Sequence, residues 1–332
     1  MTSNHLIETQ PNRHTLPSLA RAAVQRYSIV GIWILMAAIF AIAIPHLFLR
    51  GSTMQTIFGS EQPLIFLAMA LVLIFFVGEF DISLPSILGL SATLVPVLNV
   101  NAHVPIGLSI VIALLATIAV GAVNAFVIVI VGADPFAVTL GMGTLLIGLC
   151  LWFTGSTTAG GLDISLSPIV DTQVLGLPIS FYYSILLALI LTYVLWRTPL
   201  GRHMSFIGAN REVARLAGVR VNQIRFGAYV FAALIAGVGG VLLVLGVGGF
   251  DPSSSVSYLL PAFAAAILST AIITPGRFNP IGALIAIFFL ETGIIGLQLL
   301  GLAGWVTQFF FGAAVVVAVT VSTIVRRRVG RS

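Results

Sequence analysis

The sequence contains no lysine, a single cysteine and few charged residues. A Walker A motif ends in Gly-Lys followed by Ser or Thr, so a chain without lysine has no ATP site of this kind. One cysteine, Cys150, permits neither an internal disulfide nor a cysteine-based metal cluster. No set of His, Asp and Glu residues has the spacing of a metal site or a catalytic triad. We therefore expect a protein that is not an enzyme, with no metal and no cofactor in this chain.

Charged residues make up 8% of the 332 residues, whereas hydrophobic residues make up 59%. Soluble domains carry about 25% charged residues, so a water-soluble fold would lack the polar side chains to cover its surface. The mean hydropathy of +1.13 agrees with this. Because the apolar runs are about 20 residues long, they predict transmembrane helices and exclude a transmembrane barrel. The composition thus predicts an all-α polytopic membrane protein.

Ten apolar runs are candidates for transmembrane helices. A cleavable signal peptide is the alternative for the first run, but its length of 21 residues favours an uncleaved span. The runs fall at 28–48, 63–78, 82–98, 104–131, 135–154, 179–196, 226–248, 259–274, 280–299 and 302–325.

The arginines predict the orientation of these helices. With both termini in the cytoplasm, 14 of the 15 arginines are cytoplasmic and only Arg50 faces outward, as the positive-inside rule requires. Six of the arginines lie in one large loop, which divides the membrane region into two halves. The expected organisation is a cytoplasmic tail (1–27), a transmembrane region (28–325, with halves 28–196 and 226–325), the cytoplasmic loop between the halves (197–225) and a basic tail (326–332).

Five spans in each half make the halves run in opposite directions, which is the arithmetic of an inverted repeat. A weak internal similarity agrees with this interpretation. The sequence beginning Gly121-Ala122 in the first half resembles the sequence beginning Gly282-Ala283 in the second. We therefore expect two inverted five-helix halves.

The stretch GEFDISLPS, residues 78–86, places two acids, Glu79 and Asp81, between apolar runs that are shorter than a full crossing. Two interpretations remain open. The stretch is either a break within the membrane that lines a cavity, or a turn at the cytoplasmic face in which Asp81 or Ser83 caps the next helix. Glu79 favours the first, because an acid inside a membrane is costly and faces a polar interior.

Residues 208–219, GANREVARLAGV, predict a short exposed helix within the large loop. Asn210 suits its N-cap and Gly218 suits its end. Arg211 and Arg215 are four residues apart, so they share one face. The helix is either a solvated part of the loop or a docking element for another protein. The positive-inside rule alone accounts for the remaining arginines of this region, Arg197, Arg202 and Arg225.

Five stretches carry motifs in a fixed order. They are GEFDISLPSILGLSATL (78–94), DPFAVTLGMGTLLIGLCLWFTG (134–155), TPLGRHMSFIGANREVARLAGVRVNQIRF (198–226), PGRFNPIGALIA (275–286) and GLQLLG (296–301). Together they resemble the permeases of ribose-type ABC importers, the family that serves ribose, galactose, arabinose, xylose and related substrates. The chain departs from the family pattern at Glu79, Pro85, Pro275 and Pro280. These departures bear on the identity of the solute rather than on the class of transporter.

The resemblance implies the permease subunit of an importer in the bacterial inner membrane. Such a subunit moves a small neutral solute, a monosaccharide or a related polyol, into the cytoplasm. The implied partners are cytoplasmic ATPase subunits that bind ATP and Mg, a periplasmic or extracellular solute-binding protein and a second permease chain, identical or related; no nucleic acid is expected. The helix in the large loop would then be the coupling helix on the ATPase, with contacts at Gly208, Asn210, Glu212, Ala214, Arg215, Leu216 and Gly218.

A neutral solute with many hydroxyls requires a polar but nearly uncharged path. We therefore expect the path to include Glu79, Asp81, Ser83, Asn124, Thr139, Thr144, Glu291 and Gln298. The competing explanation for the threonines and amides is hydrogen bonding to helix backbone or between helices. The alternative function is an ion-coupled secondary transporter with inverted repeats, for which the candidate ion-binding acids are Glu79, Asp81, Asp134 and Glu291.

Overall fold

The structure is a computed structural model that describes residues 16–329, and these residues form an almost wholly helical bundle. The α-helices are α1 (Leu16–Ala43), α2 (Pro45–Phe48), α3 (Gly51–Gly59), α4 (Gln62–Phe76), α5 (Leu84–Pro96), α6 (Ile106–Ala125), α7 (Pro135–Thr154), α8 (Pro168–Asp171), α9 (Ile179–Arg197), α10 (Pro199–Ala209), α11 (Arg211–Leu216), α12 (Val221–Val247), α13 (Leu259–Leu268), α14 (Pro280–Leu299) and α15 (Trp305–Val329).

The remaining regular structure is short. The 3-10 helices are Ile164–Leu166, Pro252–Tyr258 and Ser269–Ala271, and the π-helical segments are Val97–Asn101 and Phe126–Val131. Among the described residues, the strands are β1 (Ala159–Gly160), β2 (Gln173–Val174), β3 (Leu177–Pro178) and β4 (Gly249–Phe250). Strand β1 pairs antiparallel with β4, and β2 pairs antiparallel with β3.

Nine helices of the part that the structure describes are long and apolar enough to cross a membrane. They are Arg26–Ala43, Gly51–Phe76, Leu84–Asn101, Ile106–Val131, Pro135–Thr154, Ile179–Arg197, Val221–Val247, Pro252–Ala271 and Pro280–Leu299, and a shorter apolar stretch, Trp305–Val316, is the tenth. These segments correspond to the ten predicted runs in order, so the predicted all-α polytopic fold is confirmed. The second crossing is longer than predicted, because it begins in α3 rather than at residue 63.

The two predicted tails overlap with helices. Helix α1 begins at Leu16, so residues 16–27 of the predicted N-terminal tail are helical. Helix α15 continues to Val329, so residues 326–329 of the predicted basic tail are helical as well. The rest of both tails, residues 1–15 and 330–332, lies outside the described residues.

Several helices begin where the sequence provides a cap followed by proline. The carboxylate of Asp134 accepts a hydrogen bond from the backbone N–H three residues later at 2.9 Å, and α7 starts at Pro135. The side-chain oxygen of Asn279 accepts the equivalent bond at 2.6 Å, and α14 starts at Pro280. The cap satisfies a free N–H group of the first turn, and proline fits there because it has no N–H to lose.

Helices α4 and α12 form the centre of the bundle and pack against each other. Helix α4 is buried throughout residues 62–74, as expected of a helix that is apolar on every face. Helix α12 approaches its neighbours closely through small residues. A Cβ added at Gly240 would overlap the carbonyl oxygen of Leu88 in α5, and one added at Gly237 would lie 2.5 Å from the Thr117 hydroxyl in α6.

Two sets of four helices pack in the same pattern. In the first set α5 packs against α6 and α7, and in the second set α13 packs against α14 and α15. Helix α4 of the first set packs against α13 and α14, whereas α12 of the second set packs against α5 and α6. Exchanging α4–α7 with α12–α15 therefore reproduces these contacts. Helices α1 and α9 lie outside this correspondence, since both pack against α14.

A six-residue turn follows the first helix of each set. Its sequence is GEFDIS at residues 78–83 and GGFDPS at residues 248–253. In both turns the first glycine has a positive φ, +72° and +78°. In both, the Asp carboxylate accepts a hydrogen bond from the backbone N–H of the Ser two residues later, at 2.8 and 2.9 Å. The two turns are thus structural equivalents.

These two turns lie at opposite ends of the bundle. The turn at 78–83 contacts α10, because a Cβ added at Gly78 would lie 3.2 Å from the Cα of Gly208. The turn at 248–253 contains β4 and therefore lies beside β1. Equivalent turns at opposite ends show that the two helix sets are inverted relative to each other.

The internal similarity between Gly121 and Gly282 does not mark equivalent positions. Gly121 lies near the end of α6, whereas Gly282 lies near the start of α14. The sequence pattern of the turn has a third copy, GGLDIS at residues 160–165, in which Ser165 N–H donates to the Asp163 carboxylate at 2.9 Å, although the positive φ is at Gly161 rather than at the first glycine. The turn motif, rather than the Gly-Ala pairs, carries the repeat.

The second position of this turn differs between its copies, with Glu79, Gly161 and Gly249 at that position. A Cβ added at Gly249 would lie 2.9 Å from the carbonyl oxygen of Ala159 in β1. Pairing between β1 and β4 therefore requires a small residue there, and only the turn at 78–83 carries a side chain at that position.

The arginine-rich end of the bundle comprises residues 77–83, 197–225 and 272–279. Gly208 contacts the turn at 78–83, and the ring centroids of Phe75 and Phe278 lie 4.9 Å apart. The backbone N–H of Ile273 donates to the carbonyl oxygen of Arg26 at 3.1 Å, which brings the start of the first span to the same end. The arginines at this end include Arg26, Arg197, Arg202, Arg211, Arg215, Arg220, Arg225 and Arg277.

The close contact between α12 and α5 predicts the effect of a single methyl group. Replacing Gly240 by Ala should destabilise the fold by about 1–3 kcal/mol, the usual cost of overpacking, because the Leu88 carbonyl must move. The matched control is Gly227→Ala in the same helix, where a Cβ meets nothing within 4 Å. Thermal unfolding in detergent measures both, and equal melting temperatures for the two variants would contradict the packing described.

Candidate functional site

Residues 77–83 connect α4 to α5 and bury two carboxylates. Gly78 adopts φ +72°, which lets the chain turn directly after α4. Helix α5 then starts at Leu84, with Pro85 in its first turn. Glu79 is 4% exposed and Asp81 is 1% exposed, so both acids lie inside the protein at the arginine-rich end.

Asp81 belongs to a buried polar cluster that joins three helices. One oxygen of its carboxylate accepts hydrogen bonds from the backbone N–H and the hydroxyl of Ser83, at 2.8 and 2.6 Å. The side-chain amide of Asn124 in α6 donates to the Ser83 hydroxyl at 2.9 Å. The hydroxyl of Thr139 in α7 accepts from the backbone N–H of Ile82 at 3.1 Å. These contacts fix the starts of α5 and α7 against α6.

Burial raises the pKa of Asp81 to about 6, while the hydrogen bonds from Ser83 act in the opposite direction. Its second carboxylate oxygen, Oδ2, accepts no hydrogen bond from the described residues, and neither does Oδ1 of Asn124. Two buried acceptors without donors favour the protonated form of the acid, because its hydroxyl supplies a donor.

Glu79 points away from this cluster and binds arginines. Oε1 of its carboxylate accepts hydrogen bonds from Arg225 Nε at the start of α12 and lies 2.9 Å from a guanidinium nitrogen of Arg211 in α11. The hydroxyl of Tyr229 donates to Oε2 at 3.1 Å. Arg211 also donates to the carbonyl oxygen of Gly78 at 2.7 Å. The side chain of Glu79 therefore joins the turn to α11 and α12.

These ion pairs differ from ordinary surface pairs because they are desolvated. The side chain of Glu79 is 0% exposed and that of Arg225 is 12% exposed, whereas that of Arg211 is 41% exposed. Removing one partner of a buried pair typically costs about 3–5 kcal/mol, since the other charge is left without compensation. The contact of Arg211 is partly screened by solvent and contributes less.

Helix α11 has the local structure that its sequence predicts. The side-chain oxygen of Asn210 caps it by accepting from the N–H of Val213 at 3.1 Å, and Gly218 follows it with φ +81°. Ala214 is fully buried, packed with residues of α10 and α12. Leu216 is 87% exposed. The helix thus rests on the bundle through Ala214 and presents Leu216 to the surroundings.

The predicted grouping of residues on α11 differs from the observed one. Ala214 and Leu216 lie in different environments, since one is buried and the other is exposed. Arg211 turns towards Glu79, whereas Arg215 is exposed, so these two arginines do not share one environment. The reason is the buried carboxylate, which draws Arg211 inwards. Glu212 and Gly208 are exposed, as Arg215 is.

The proposed path residues do not form one group. Asp81, Ser83, Asn124 and Thr139 lie together in the buried cluster, whereas Glu79 faces the arginines. The others are separate. Thr144 lies on the exposed side of α7, Glu291 is buried within α14, and the amide of Gln298 at the end of α14 donates to the Thr307 hydroxyl at 3.2 Å.

The sequence analysis missed two partners of Glu79, Arg225 and Tyr229. Arg225 was explained by the positive-inside rule alone, but its side chain is an ion-pair partner of the buried acid. A usable signal was present, because Arg225 and Tyr229 are four residues apart and so share one helix face. A buried acid also requires a cation, and the large loop holds the nearest candidates.

Comparison with known proteins gives consistent matches over most of the chain. The family described as branched-chain amino acid transport system / permease component matches residues 53–319. The autoinducer 2 import system permease protein LsrD of Photorhabdus luminescens is 30% identical over 258 residues, covering 76% of this chain and 77% of the relative. The protein of the same name from Escherichia coli strain K12 is 31% identical and covers 76% and 78%. No solved structure matches the chain.

The raised pKa of Asp81 predicts a pH-dependent stability. The rise from 3.8 to about 6 corresponds to about 3 kcal/mol. Below about pH 4 both folded and unfolded chains hold the proton; as the pH rises to about 6, the unfolded chain releases it first, so the folded state loses stability. The melting temperature in detergent should therefore fall over this window in the wild type relative to Asp81→Asn.

The matched control for this experiment is Asp163→Asn in the third copy of the turn. Asp163 accepts the same bond from Ser165 but is exposed, and these bonds lower its pKa. This variant retains Asp81, so its melting temperature should fall between pH 4 and 6 as that of the wild type does. If the difference in melting temperature between the wild type and Asp81→Asn is the same at pH 4 and pH 6, Asp81 does not keep its proton in the folded protein as we infer.

Proposed function

The chain belongs to the branched-chain amino acid transport system / permease component family, and we propose that it is the membrane subunit of an ABC importer for a small neutral solute, driven by a separate ATPase. The family match and the apolar helices make it a multi-pass permease of the bacterial inner membrane. The solute, the ATPase and the other partners are the proposed part. The observation that carries the proposal is α11, a capped helix that presents Leu216 outside the bundle.

In this proposal the arginine-rich end faces the cytoplasm. At least eight arginines of residues 16–329 lie there, and the positive-inside rule assigns such a concentration to the cytoplasmic side. The ATPase then binds α10 and α11, with Leu216 as an apolar anchor and Arg215 and Glu212 as polar contacts around it. Exposed apolar side chains that are surrounded by charged residues, here Leu216 and Val213, are typical of a contact that forms with a partner.

The solute path is proposed to run between this chain and a second permease. Helix α7 supports this, because Gly141 and Gly148 lie on its open side with nothing within 4 Å of an added Cβ, and Thr144 is exposed between them. Small residues let a second helix approach closely, and a hydroxyl can bind the hydroxyls of a solute. Such a lining carries no charge, which suits a neutral solute.

The solute is proposed to be a monosaccharide, a polyol or a related small molecule, delivered at the opposite end by a solute-binding protein. The relatives from Photorhabdus luminescens and Escherichia coli are named for autoinducer 2 import, so autoinducer 2 joins the solutes to be tested. Ribose and a pentitol represent the two other classes.

Uptake into vesicles tests the source of energy. The chain is reconstituted with its cognate ATPase and solute-binding protein, and uptake of radiolabelled ribose, a pentitol and autoinducer 2 is measured. We expect uptake of at least one solute to require ATP and the ATPase, and to persist when ionophores collapse the ion gradients. Gradient-driven uptake by the chain without the ATPase would instead identify an ion-coupled secondary transporter.

The exposed position of Leu216 predicts its role in ATPase binding. Replacing Leu216 by Glu should lower co-purification of the ATPase by about tenfold or more, because a central apolar contact contributes about 2 kcal/mol. The melting temperature of the chain should not change, since the side chain is 87% exposed. The matched control is Leu175→Glu, an exposed leucine at the opposite end. If Leu216→Glu retains the ATPase as Leu175→Glu does, α11 is not the docking helix.

A further inference from the structure

Glu79 joins three elements of the arginine-rich end through one side chain. It belongs to the turn at 77–83, it accepts hydrogen bonds from Arg225 and Tyr229 of α12, and it forms an ion pair with Arg211, the first residue of α11. Its own side chain is 0% exposed. The ion pair between Glu79 and Arg211 therefore helps to hold the docking helix against the turn, together with the packing of Ala214 on α10 and α12.

The turn itself does not need this acid. The equivalent turn at 248–253 has Gly249 at the same position and keeps the bond between Asp251 and Ser253 at 2.9 Å. The third copy has Gly161 there and keeps the corresponding bond, also at 2.9 Å. The acid at position 79 consequently serves the contact with α11 and α12 rather than the local conformation.

The turn contacts the helices of the first set directly. Ser83 binds Asn124 of α6, and the backbone of Ile82 binds Thr139 of α7. A displacement of the turn therefore changes the positions at which α5 and α7 meet α6. Helix α7 is also the helix whose open side carries Thr144. A continuous series of contacts thus links Leu216 of α11, through Glu79, to the helix of the proposed path.

We propose that Glu79 is a positioning residue that couples movement of α11 to the turn at 77–83 and, through it, to α7. This inference rests on the proposed function, since it requires an ATPase that moves α11. When α11 moves, Arg211 shifts relative to Arg225, and the carboxylate carries the shift to the turn. Without the carboxylate, α11 still binds the ATPase through Leu216 and still packs on the bundle through Ala214, but less of its movement reaches the turn at 77–83.

The test is the number of solute molecules imported per ATP hydrolysed. The full complex is reconstituted in vesicles, and uptake and ATP hydrolysis are measured with a solute that the wild type imports. Glu79→Gln should lower this ratio by roughly two- to thirty-fold, the range for single residues that link two sites, while ATPase binding is retained. A residue with a merely structural role would lower the melting temperature, uptake and hydrolysis together and leave the ratio unchanged, which would overturn the proposal.

A double-mutant cycle with Arg225→Gln tests whether the pair acts as a unit. If it does, the ratio of solute imported to ATP hydrolysed should be no lower in the double variant than in Glu79→Gln, because the shared interaction is already absent from the single variant. The matched control is Arg220→Gln in the same loop, an exposed arginine whose side chain forms no ion pair within residues 16–329. It should keep the wild-type ratio. Losses that multiply in the double variant would contradict coupling through this pair.

A milder variant covers the case in which Glu79→Gln does not assemble. Tyr229→Phe removes only the hydroxyl that holds Oε2 of Glu79 and the Phe80 carbonyl oxygen, at 3.1 and 3.2 Å. It should lower the ratio by about two-fold, the lower end of the same range. An unchanged ratio in Tyr229→Phe overturns the inference. A wild-type complex without ATP-dependent uptake would instead refute the proposed function, and the inference with it.

Discussion

A carboxylate that is removed from water must find a cation, and this constraint shapes the arginine-rich end of the bundle. Glu79 has Arg225 and Arg211 within reach, together with the hydroxyl of Tyr229. The carboxylate and the guanidinium of Arg225 are both withdrawn from solvent, so neither can exchange its partner for water without a large cost. The turn after α4, the short helix α11 and the start of α12 are therefore held in one arrangement.

The second constraint is the inverted pairing of two helix sets around α4 and α12. These two helices can be central because one is apolar on every side and the other carries small residues where its neighbours approach. Each is followed by the same turn, in which an aspartate binds the backbone of the serine that starts the next segment. The same turn therefore occurs twice in the fold, once at each end of the bundle.

Much of the fold could be predicted from the sequence, because hydropathy depends on runs of consecutive residues. All ten predicted runs correspond to helices, and the cap of α11 at Asn210 follows from local residue preferences. The site was less accessible to such reasoning. Glu79 and Arg225 are 146 positions apart, and no local pattern records their contact. Thr139 and Thr144 lie on one helix but in different environments, which depends on the packing of α7. The repeated turn is visible in the sequence as GEFDIS and GGFDPS, and it marks the repeat better than Gly-Ala pairs, which are common in membrane helices.

The difference between Glu79 and Gly249 within otherwise equivalent turns has a wider consequence. A duplicated unit begins with two identical ends, and such a molecule cannot distinguish one side of a bilayer from the other by its turns alone. Here one copy carries an acid that holds arginines, while the other carries a glycine that admits a neighbouring strand. The two ends of the bundle are therefore held by different interactions: one by charges and the other by backbone pairing.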